Sequence, residues 1–210
     1  MKNKIRYMRQ SNKGVTLIEL IVTVLIMSII VGVIGLFISS SRNSYVRISN
    51  ETAMQAEADI AMTFLTDIAE EASAFRIETE NMLSSDGGTR EYDVLCIQVS
   101  DPTPYYCFIV HDVVGEELRF CKVSHDDSAN LLWVEGTSED NINNIDIKAT
   151  LEANNINNPS NKRCFLAKYI TGFDTVVPPE KSGLLRVSIE LKYGGNTYTA
   201  NKNISSRNIV

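Results

Sequence analysis

The sequence lacks the motifs that usually identify an enzyme or a metal site. Its 210 residues include two histidines and four cysteines but no C-x-x-C pair, and His111 and His125 do not have zinc-finger spacing. It contains no nucleophile elbow, no metal-hydrolase motif and no phosphate-binding loop. The run His125-Asp126-Asp127 is too generic for a calcium site and is interpreted as a polar turn. We therefore expect no enzymatic activity, no metal and no cofactor.

Acidic residues are absent from the first 14 positions, and charge is almost absent from the next 24. The leader 1–14 carries five basic residues, whereas the segment 15–38 has Glu19 as its only charge. A helix of this length is about 36 Å long, which is enough to cross a hydrocarbon core of about 30 Å. The basic flank predicts a cytoplasmic N-terminus and an extracytoplasmic remainder. The sequence therefore predicts a single-pass protein of the cytoplasmic membrane.

The part of the chain after the leader is acidic. The leader holds five of the 20 basic residues and none of the 26 acidic residues, so the rest carries a net charge of −11. A surface of this sign gives no general support for nucleic-acid binding. We therefore do not predict nucleic acid as a direct partner.

Three interpretations of the N-terminal segment compete. A secretory signal would be cleaved near the serines at 39–41, but its apolar region is normally only about 7–15 residues long. An uncleaved anchor fits the length and the flanks but leaves Gly14 and Glu19 unexplained. In the third interpretation the chain is cut after Gly14, before the apolar run, and the mature protein keeps the helix.

The third interpretation matches a known family. Residues 13–35 read KGVTLIELIVTVLIMSIIVGVIG, and they closely resemble the class III leader and N-terminal helix of type IV pilins and type II secretion pseudopilins. The resemblance implies that prepilin peptidase cuts after Gly14 and methylates the new N-terminus, Val15. It also implies that Glu19 acts in assembly with other pilin or pseudopilin subunits, on an assembly platform in the cytoplasmic membrane.

The position of Glu19 has a physical explanation within this resemblance. A charged side chain deep in a bilayer costs about 2.5–3.5 kcal/mol on insertion scales. Because Glu19 lies about one turn from the processed end, a monomer could keep it near the cytoplasmic interface. In a filament, the resemblance implies that Glu19 meets a positively charged amine of a neighbouring subunit, and a paired charge costs far less than an isolated one.

Beyond the membrane the sequence predicts an amphipathic continuation of the helix over 39–79. No proline or glycine occurs between Phe37 and Thr79, and apolar residues recur at steps of three and four. Such a stripe normally packs on a sheet. The predicted stripe consists of Ala58, Met62, Leu65, Ala69 and Ala72, widened by Phe64, Ile68 and Phe75.

The residues from 80 to 210 predict a β-rich extracytoplasmic head domain. A turn-rich stretch at 84–90 is expected to join the helix to a sheet, and short segments with strand composition follow. The predicted strands are 92–99, 105–112, 117–124, 131–136, 184–193 and 197–205, with a further ordered block at 164–177. The asparagine-rich stretch 138–162 is expected to be a surface loop outside the core, with a short strand at 145–150.

These elements together predict an α+β fold of the pilin type, a long N-terminal helix packed on antiparallel β-sheet. The expected divisions are the leader 1–14, the membrane-spanning and filament-core helix 15–38, the amphipathic extension 39–79 and the head 80–210. The C-terminal order of an I-x-G-F segment, an LRVSIEL strand and a closing ISSRN resembles the larger minor pilins and pseudopilins of the PulJ/PilW type.

The four cysteines, Cys96, Cys107, Cys121 and Cys164, all lie in the part predicted to be exported. Exported cysteines favour disulfides, and four of them allow three connectivities. Cys96 and Cys107 flank one predicted hairpin, which makes them near neighbours. Because three of the four sit in apolar strands, buried thiols are the alternative. The sequence leaves the pairing open.

The resulting hypothesis is a minor pilin or pseudopilin that waits in the membrane and then joins a type IV pilus or a type II secretion pseudopilus, a filament at the cell surface. The alternative is an uncleaved bitopic membrane protein whose ectodomain binds or senses a ligand. A third hypothesis is a secreted binding domain, released as a soluble product after the serines at 39–41. Replacement of Glu19 separates the first two, because only a filament subunit needs this side chain for incorporation.

Overall fold

A computed structural model describes residues 14–83, 88–100, 103–137, 141–156, 164–179 and 181–209. The chain divides into two units, Met1–Val46 and Arg47–Val210. The first helix, α1, begins in the first unit and ends in the second. The elements are α1 Leu17–Glu70, β1 Ala74–Leu83, β2 Thr89–Val99, β3 Tyr105–Asp112, β4 Glu117–Ser124, a 3₁₀ helix Ile142–Asn144, α2 Ile147–Ala153, β5 Phe165–Lys168, β6 Ile170–Val176, β7 Leu184–Tyr193 and β8 Asn196–Ser205.

Helix α1 ends at Glu70, so the predicted extension to residue 79 is wrong. Residues 74–79 belong instead to β1, where Phe75 and Ile77 alternate with Arg76 and Glu78. Alternation with a period of two fits a strand and not a helix. The lack of proline and glycine therefore permitted a longer helix without requiring one. Strand β1 also means that the turn-rich stretch at 84–90, of which 84–87 lie outside the described residues, joins two strands.

The C-terminal tail satisfies the end of α1. The last carbonyls of a helix have no partner within it and need donors from elsewhere. The backbone N–H of Arg207 donates to the Glu70 carbonyl at 2.9 Å, and the Asn208 side-chain amide donates to the Glu71 carbonyl at 2.9 Å. The hydroxyl of Ser206 donates to the Ala72 carbonyl at 2.5 Å. The closing ISSRN segment thus fixes the point at which the helix stops.

Two antiparallel sheets follow α1. The first has the strand order β1-β2-β3-β4-β5, and the second has the order β6-β7-β8. The predicted ordered block 164–177 is split between them, because Tyr169 has a positive φ of 65° between β5 and β6. The predicted turn before β8 is confirmed, since Gly194 and Gly195 have φ values of 57° and 84° and connect paired Tyr193 and Asn196. Two positive φ angles in a two-residue loop are typical of a type I′ hairpin, which favours glycine.

The inner core joins α1 to both sheets. The predicted stripe is confirmed as far as α1 extends, because Ala58, Met62, Leu65, Ile68 and Ala69 are buried and Phe64 packs against them. Ala72 and Phe75 lie beyond the end of the helix, although they join the same core. On β7 the alternating residues Leu185, Val187, Ile189 and Leu191 are buried in the same cluster. The structure therefore has the predicted α+β, pilin-like architecture, with a long N-terminal helix packed on antiparallel sheet.

The opposite face of the first sheet is also buried, beneath a flap formed by residues 141–156. The predictions of a surface loop outside the core over 138–162 and of a strand at 145–150 are wrong for this part. Residues 147–153 form α2, whose N-terminus is capped by Asp146 accepting from the Ala149 N–H at 2.9 Å. The flap residues Ile142, Ile145, Ile147, Leu151 and Ile156 are buried in this outer core. The asparagines make this stretch polar as a whole, but the apolar residues between them still form a buried face.

The predicted strand 131–136 is also wrong. It is reduced to a single isolated bridge between Trp133 and Ile145 of the flap. The Leu132 N–H donates at 3.0 Å to the hydroxyl of Thr150, and the Asp146 N–H donates at 2.8 Å to the Leu132 carbonyl. The backbone of this segment therefore bonds to α2 and its cap instead of a strand.

Two arginines of the first sheet hold the flap. The Arg76 guanidinium on β1 donates to the carbonyls of Ile142 and Ile145, both at 2.9 Å, and pairs with Glu78 at 2.7 Å. On β4, the buried Arg119 donates to the Ile156 carbonyl at 3.2 Å and pairs with Glu117 at 2.7 Å. Each arginine has a carboxylate two residues away on its own strand. A charge-neutralised donor therefore holds each end of the flap.

We expect Arg76→Ala to lower the free energy of unfolding by about 1–3 kcal/mol, because two flap carbonyls lose a charged donor. The measurement is denaturant unfolding of the purified chain in detergent, followed by the fluorescence of Trp133, which lies beside the flap. Arg186→Ala is the matched control, because the Arg186 side chain is exposed on β7 and makes no hydrogen bond or ion pair with the residues described. Equal stability of the two variants would contradict the holding role of Arg76.

Candidate functional site

The three residues predicted to act in processing and assembly lie together at the start of the described chain. Gly14 and Val15 are non-helical and exposed, and α1 begins two residues later, at Leu17. A side chain at position 14 would meet no atom of the described residues within 4 Å, so the backbone there is open. Glu19 lies in the first turn of the helix. The peptide bond between Gly14 and Val15 is therefore accessible, with the carboxylate about one turn away.

Glu19 and Thr16 form a reciprocal hydrogen-bonded cap on the helix. The Thr16 backbone N–H and hydroxyl both donate to Glu19 Oε2, at 2.9 and 3.0 Å. The Glu19 backbone N–H donates to Thr16 Oγ1 at 3.3 Å. This is a capping box, in which a threonine at the N-cap and a glutamate three residues later satisfy each other's backbone donors. A negative charge at this position also interacts favourably with the helix dipole.

Sequence reasoning assigned a role to Glu19 but missed Thr16. The available signal was the T-x-x-E spacing at residues 16–19 directly before an apolar run, which marks a helix N-terminus. That spacing explains why the glutamate is held in place. It also defines what remains available, because Oε1 of Glu19 makes no hydrogen bond among the described residues. One carboxylate oxygen caps its own helix while the other can accept from a further donor.

The surface around Glu19 is apolar. The side chains of Val15, Ile18, Glu19, Val22 and Thr23 line one shallow groove along the helix. Thr23 contributes little polarity, since its hydroxyl donates to the carbonyls of Glu19 and Leu20, both at 2.8 Å. The groove therefore presents one carboxylate within an apolar stripe.

Helix α1 meets the length and composition requirements for crossing a membrane. Its most apolar window has no residue buried within the chain. The large apolar side chains between Leu17 and Ile38 are about half exposed or more. A helix that is apolar all round and unburied in its own chain needs lipid or other helices as its surroundings. The structure thus supports membrane anchoring through this segment.

The cysteines lie far along the chain from this site. Cys96, Cys107 and Cys121 occupy β2, β3 and β4, and Cys164 precedes β5. None of the four, all within the described residues, takes part in a disulfide. Burial is the main cause that raises the pKa of Cys107 and of Cys121 to about 12. These buried thiols are poor nucleophiles at neutral pH, because the thiolate is the reactive form.

The two histidines have separate structural surroundings. His111 is buried, and its Nε2 lies 3.1 Å from the Ile170 carbonyl while Nδ1 lies 3.3 Å from Asp93 Oδ2. It thereby connects the first sheet to the start of β6. His125 packs against Tyr106 and Trp133 beside the flap. Among the described residues, no group of three potential ligands is arranged to hold a metal ion.

Comparison with known families places the N-terminal site in context. Residues 9–35 match a family model described as "Prokaryotic N-terminal methylation motif". The matched segment contains Gly14, Val15 and Glu19, and its residues 9–13 lie outside the described part of the structure. The comparisons with curated proteins and with solved structures found no match. The family match supports a type IV pilin-like precursor that prepilin peptidase processes.

We expect Thr16→Val to open the N-terminal cap. The substitution removes the hydroxyl that accepts from the Glu19 N–H, so hydrogen exchange at that amide should accelerate at least severalfold in detergent micelles. Thr23→Val is the matched control, because its hydroxyl bonds only to helix carbonyls within the apolar run. Unchanged exchange in Thr16→Val would show that the capping box does not protect the first turn.

Proposed function

We propose that this chain is a minor pilin or pseudopilin, incorporated into a type IV pilus or a type II secretion pseudopilus. The supporting observation is the exposed, apolar α1 with one carboxylate held in its first turn by Thr16. The match to the methylation motif supports the same class of protein. In this proposal, prepilin peptidase cuts between Gly14 and Val15 on the cytoplasmic face and methylates the Val15 amine.

Assembly then depends on Glu19. The apolar part of α1 from Leu17 to Ile38 is exposed, so a filament core built from such segments removes a large apolar surface from lipid. Within that core an unpaired carboxylate is heavily penalised. In this proposal Glu19 Oε1 accepts from the N-terminal ammonium of a neighbouring subunit, while Oε2 keeps its own helix capped. The partners are other pilin or pseudopilin subunits and the membrane assembly platform.

Processing is tested by the mass of the mature N-terminus. We expect protein extracted from membranes to begin at Val15 and to be heavier by one methyl group. Terminal-peptide mass spectrometry identifies the residue that carries it. The same chain from cells without prepilin peptidase should retain Met1 to Gly14. Retention of this leader in cells with active peptidase would favour the uncleaved bitopic protein and contradict the proposal.

Assembly is tested by Glu19→Gln. Glutamine also fits the third position of a capping box, so the helix N-terminus is preserved while the charge is lost. We expect normal processing and membrane insertion, but at least a tenfold loss of the chain from sheared filaments, measured by immunoblotting. Ser28→Ala is the matched control, because the Ser28 hydroxyl bonds only to the Leu25 carbonyl of the same helix. Normal incorporation of Glu19→Gln would show that the charge is not required.

A further inference from the structure

The register of the first sheet determines which cysteines can meet. Cys96 on β2 is paired with Phe108, and Phe108 with Cys121 on β4. Cys107 is paired with Ile97 on one side and Lys122 on the other. Directly paired residues in an antiparallel sheet share a face, and successive residues point to opposite faces. Cys96 and Cys121 therefore face the outer core beneath the flap, and Cys107 faces the inner core, as their burial shows.

These placements exclude most of the possible disulfides among the four cysteines. Cys107 cannot bond to Cys96 or Cys121, because its Cβ vector points to the opposite side of the sheet from theirs. Cys96 and Cys121 share a face but are separated by β3, which puts their backbones roughly 9–10 Å apart. A disulfide requires Cα atoms within about 7 Å. The sequence left the pairing open, and the pleat rules out a disulfide between the two near neighbours on one hairpin, Cys96 and Cys107.

Cys164 is adjacent to only one of the other three cysteines. It directly precedes Phe165, which is paired with Arg119, two residues before Cys121. Cys96 and Cys107 lie on β2 and β3, at least two strands away from this edge. Cys164 also packs against the outer core that contains Cys121. Because Cys164 lies just outside β5, its position is given by this shared outer core and not by the strand register. It is close enough to Cys121 to raise the pKa of that thiol.

We propose that Cys121 and Cys164 form a disulfide site in the exported head. The bond would link Cys121 on β4 to Cys164, which follows the flap in the sequence and directly precedes β5. It would lie next to Arg119. Closing a loop of about forty residues restricts the unfolded chain considerably. The bond would therefore stabilise the outer core at the edge where β5 offers only four residues of strand.

The surroundings of the two cysteines indicate which thiol reacts first when the disulfide forms. Cys164 is partly exposed, and the Arg119 guanidinium opposes the increase in pKa that burial causes at Cys164. Cys121 is buried, and the nearby Cys164 adds to the effect of burial on its pKa. The more accessible thiolate, Cys164, therefore attacks an external disulfide first.

The reaction is a two-electron exchange. The Cys164 thiolate displaces one thiol from an oxidant disulfide and forms a mixed disulfide with the other half. Cys121 lies beside this mixed disulfide, so its attack is intramolecular although its pKa is high; the thiol loses its proton, attacks Cys164 Sγ and releases the second oxidant thiol. Both cysteines are oxidised, the oxidant disulfide is reduced to two thiols, and the two cysteine protons end on those thiols. In cells the oxidant would be a protein disulfide outside the cytoplasm, which rests on the proposed export of the head.

The geometry is tested with the purified, reduced mature chain in detergent and oxidised glutathione as the oxidant. After trapping with N-ethylmaleimide, we expect a chain lighter by two hydrogen atoms and a single Cys121–Cys164 cross-link in unreduced peptide maps. Cys96→Ser and Cys107→Ser should retain this cross-link. Cys121→Ser should instead leave glutathione attached to Cys164. A different cross-link in the folded chain, or none, would overturn the proposal.

A stability measurement and a measurement in cells complete the test. Reductant should lower the thermal unfolding midpoint of the oxidised chain by several degrees. It should leave the midpoint of the Cys121→Ser/Cys164→Ser double variant unchanged. Equal shifts in both would overturn a stabilising bond. In cells, trapping thiols before lysis should find Cys121 and Cys164 blocked. If the cross-link forms with glutathione but both thiols are reactive in cells, the proposed export fails and the geometry stands.

Discussion

The first sheet is covered on both faces, and this double burial constrains the rest of the head. Strand β3 has buried side chains at six consecutive positions, Tyr106 to His111. One of its faces is covered by α1 and the second sheet, and the other is covered by the flap. Polar groups that enter these layers need fixed partners. Arg76, Arg119 and His111 accordingly make hydrogen bonds that join the sheet to the elements packed on it.

The same constraint explains which parts of the fold the sequence predicted. Strand β7 has one buried and one exposed face, and its alternating pattern predicted both of its bounds, Leu184–Tyr193. Strands β3 and β4 were recognised from apolar composition and flanking turns. The flap was missed because its buried isoleucines are widely spaced among polar residues, and composition over a stretch says nothing about which residues face a core. The end of α1 was missed because its capping groups, at residues 206–208, lie over a hundred residues later in the sequence.

At the N-terminal site, the sequence indicated the chemistry, and the structure supplied the geometry. A carboxylate alone in an apolar run is visible in any composition profile. Its hydrogen bonds to Thr16 are local, so they follow from the spacing of residues 16–19 without knowledge of the fold. The pairing of cysteines that are distant in the sequence cannot be inferred from local spacing in this way. It depends on strand order and face, and neighbours along the chain, Cys96 and Cys107, lie in opposite layers.

The capping box gives the proposed assembly step a definite energetic form. Cleavage after Gly14 would place an ammonium group on Val15, directly before a helix N-terminus that already carries partial positive charge. Glu19 offsets that charge within a single subunit, so its carboxylate already has a favourable interaction in the membrane before assembly. In a filament the ammonium of a neighbouring subunit would reach the same carboxylate through Oε1, with Oε2 still engaged by Thr16. Assembly would then give the same carboxylate a second positive partner without removing the first, which avoids both an isolated charge in lipid and the loss of the helix cap.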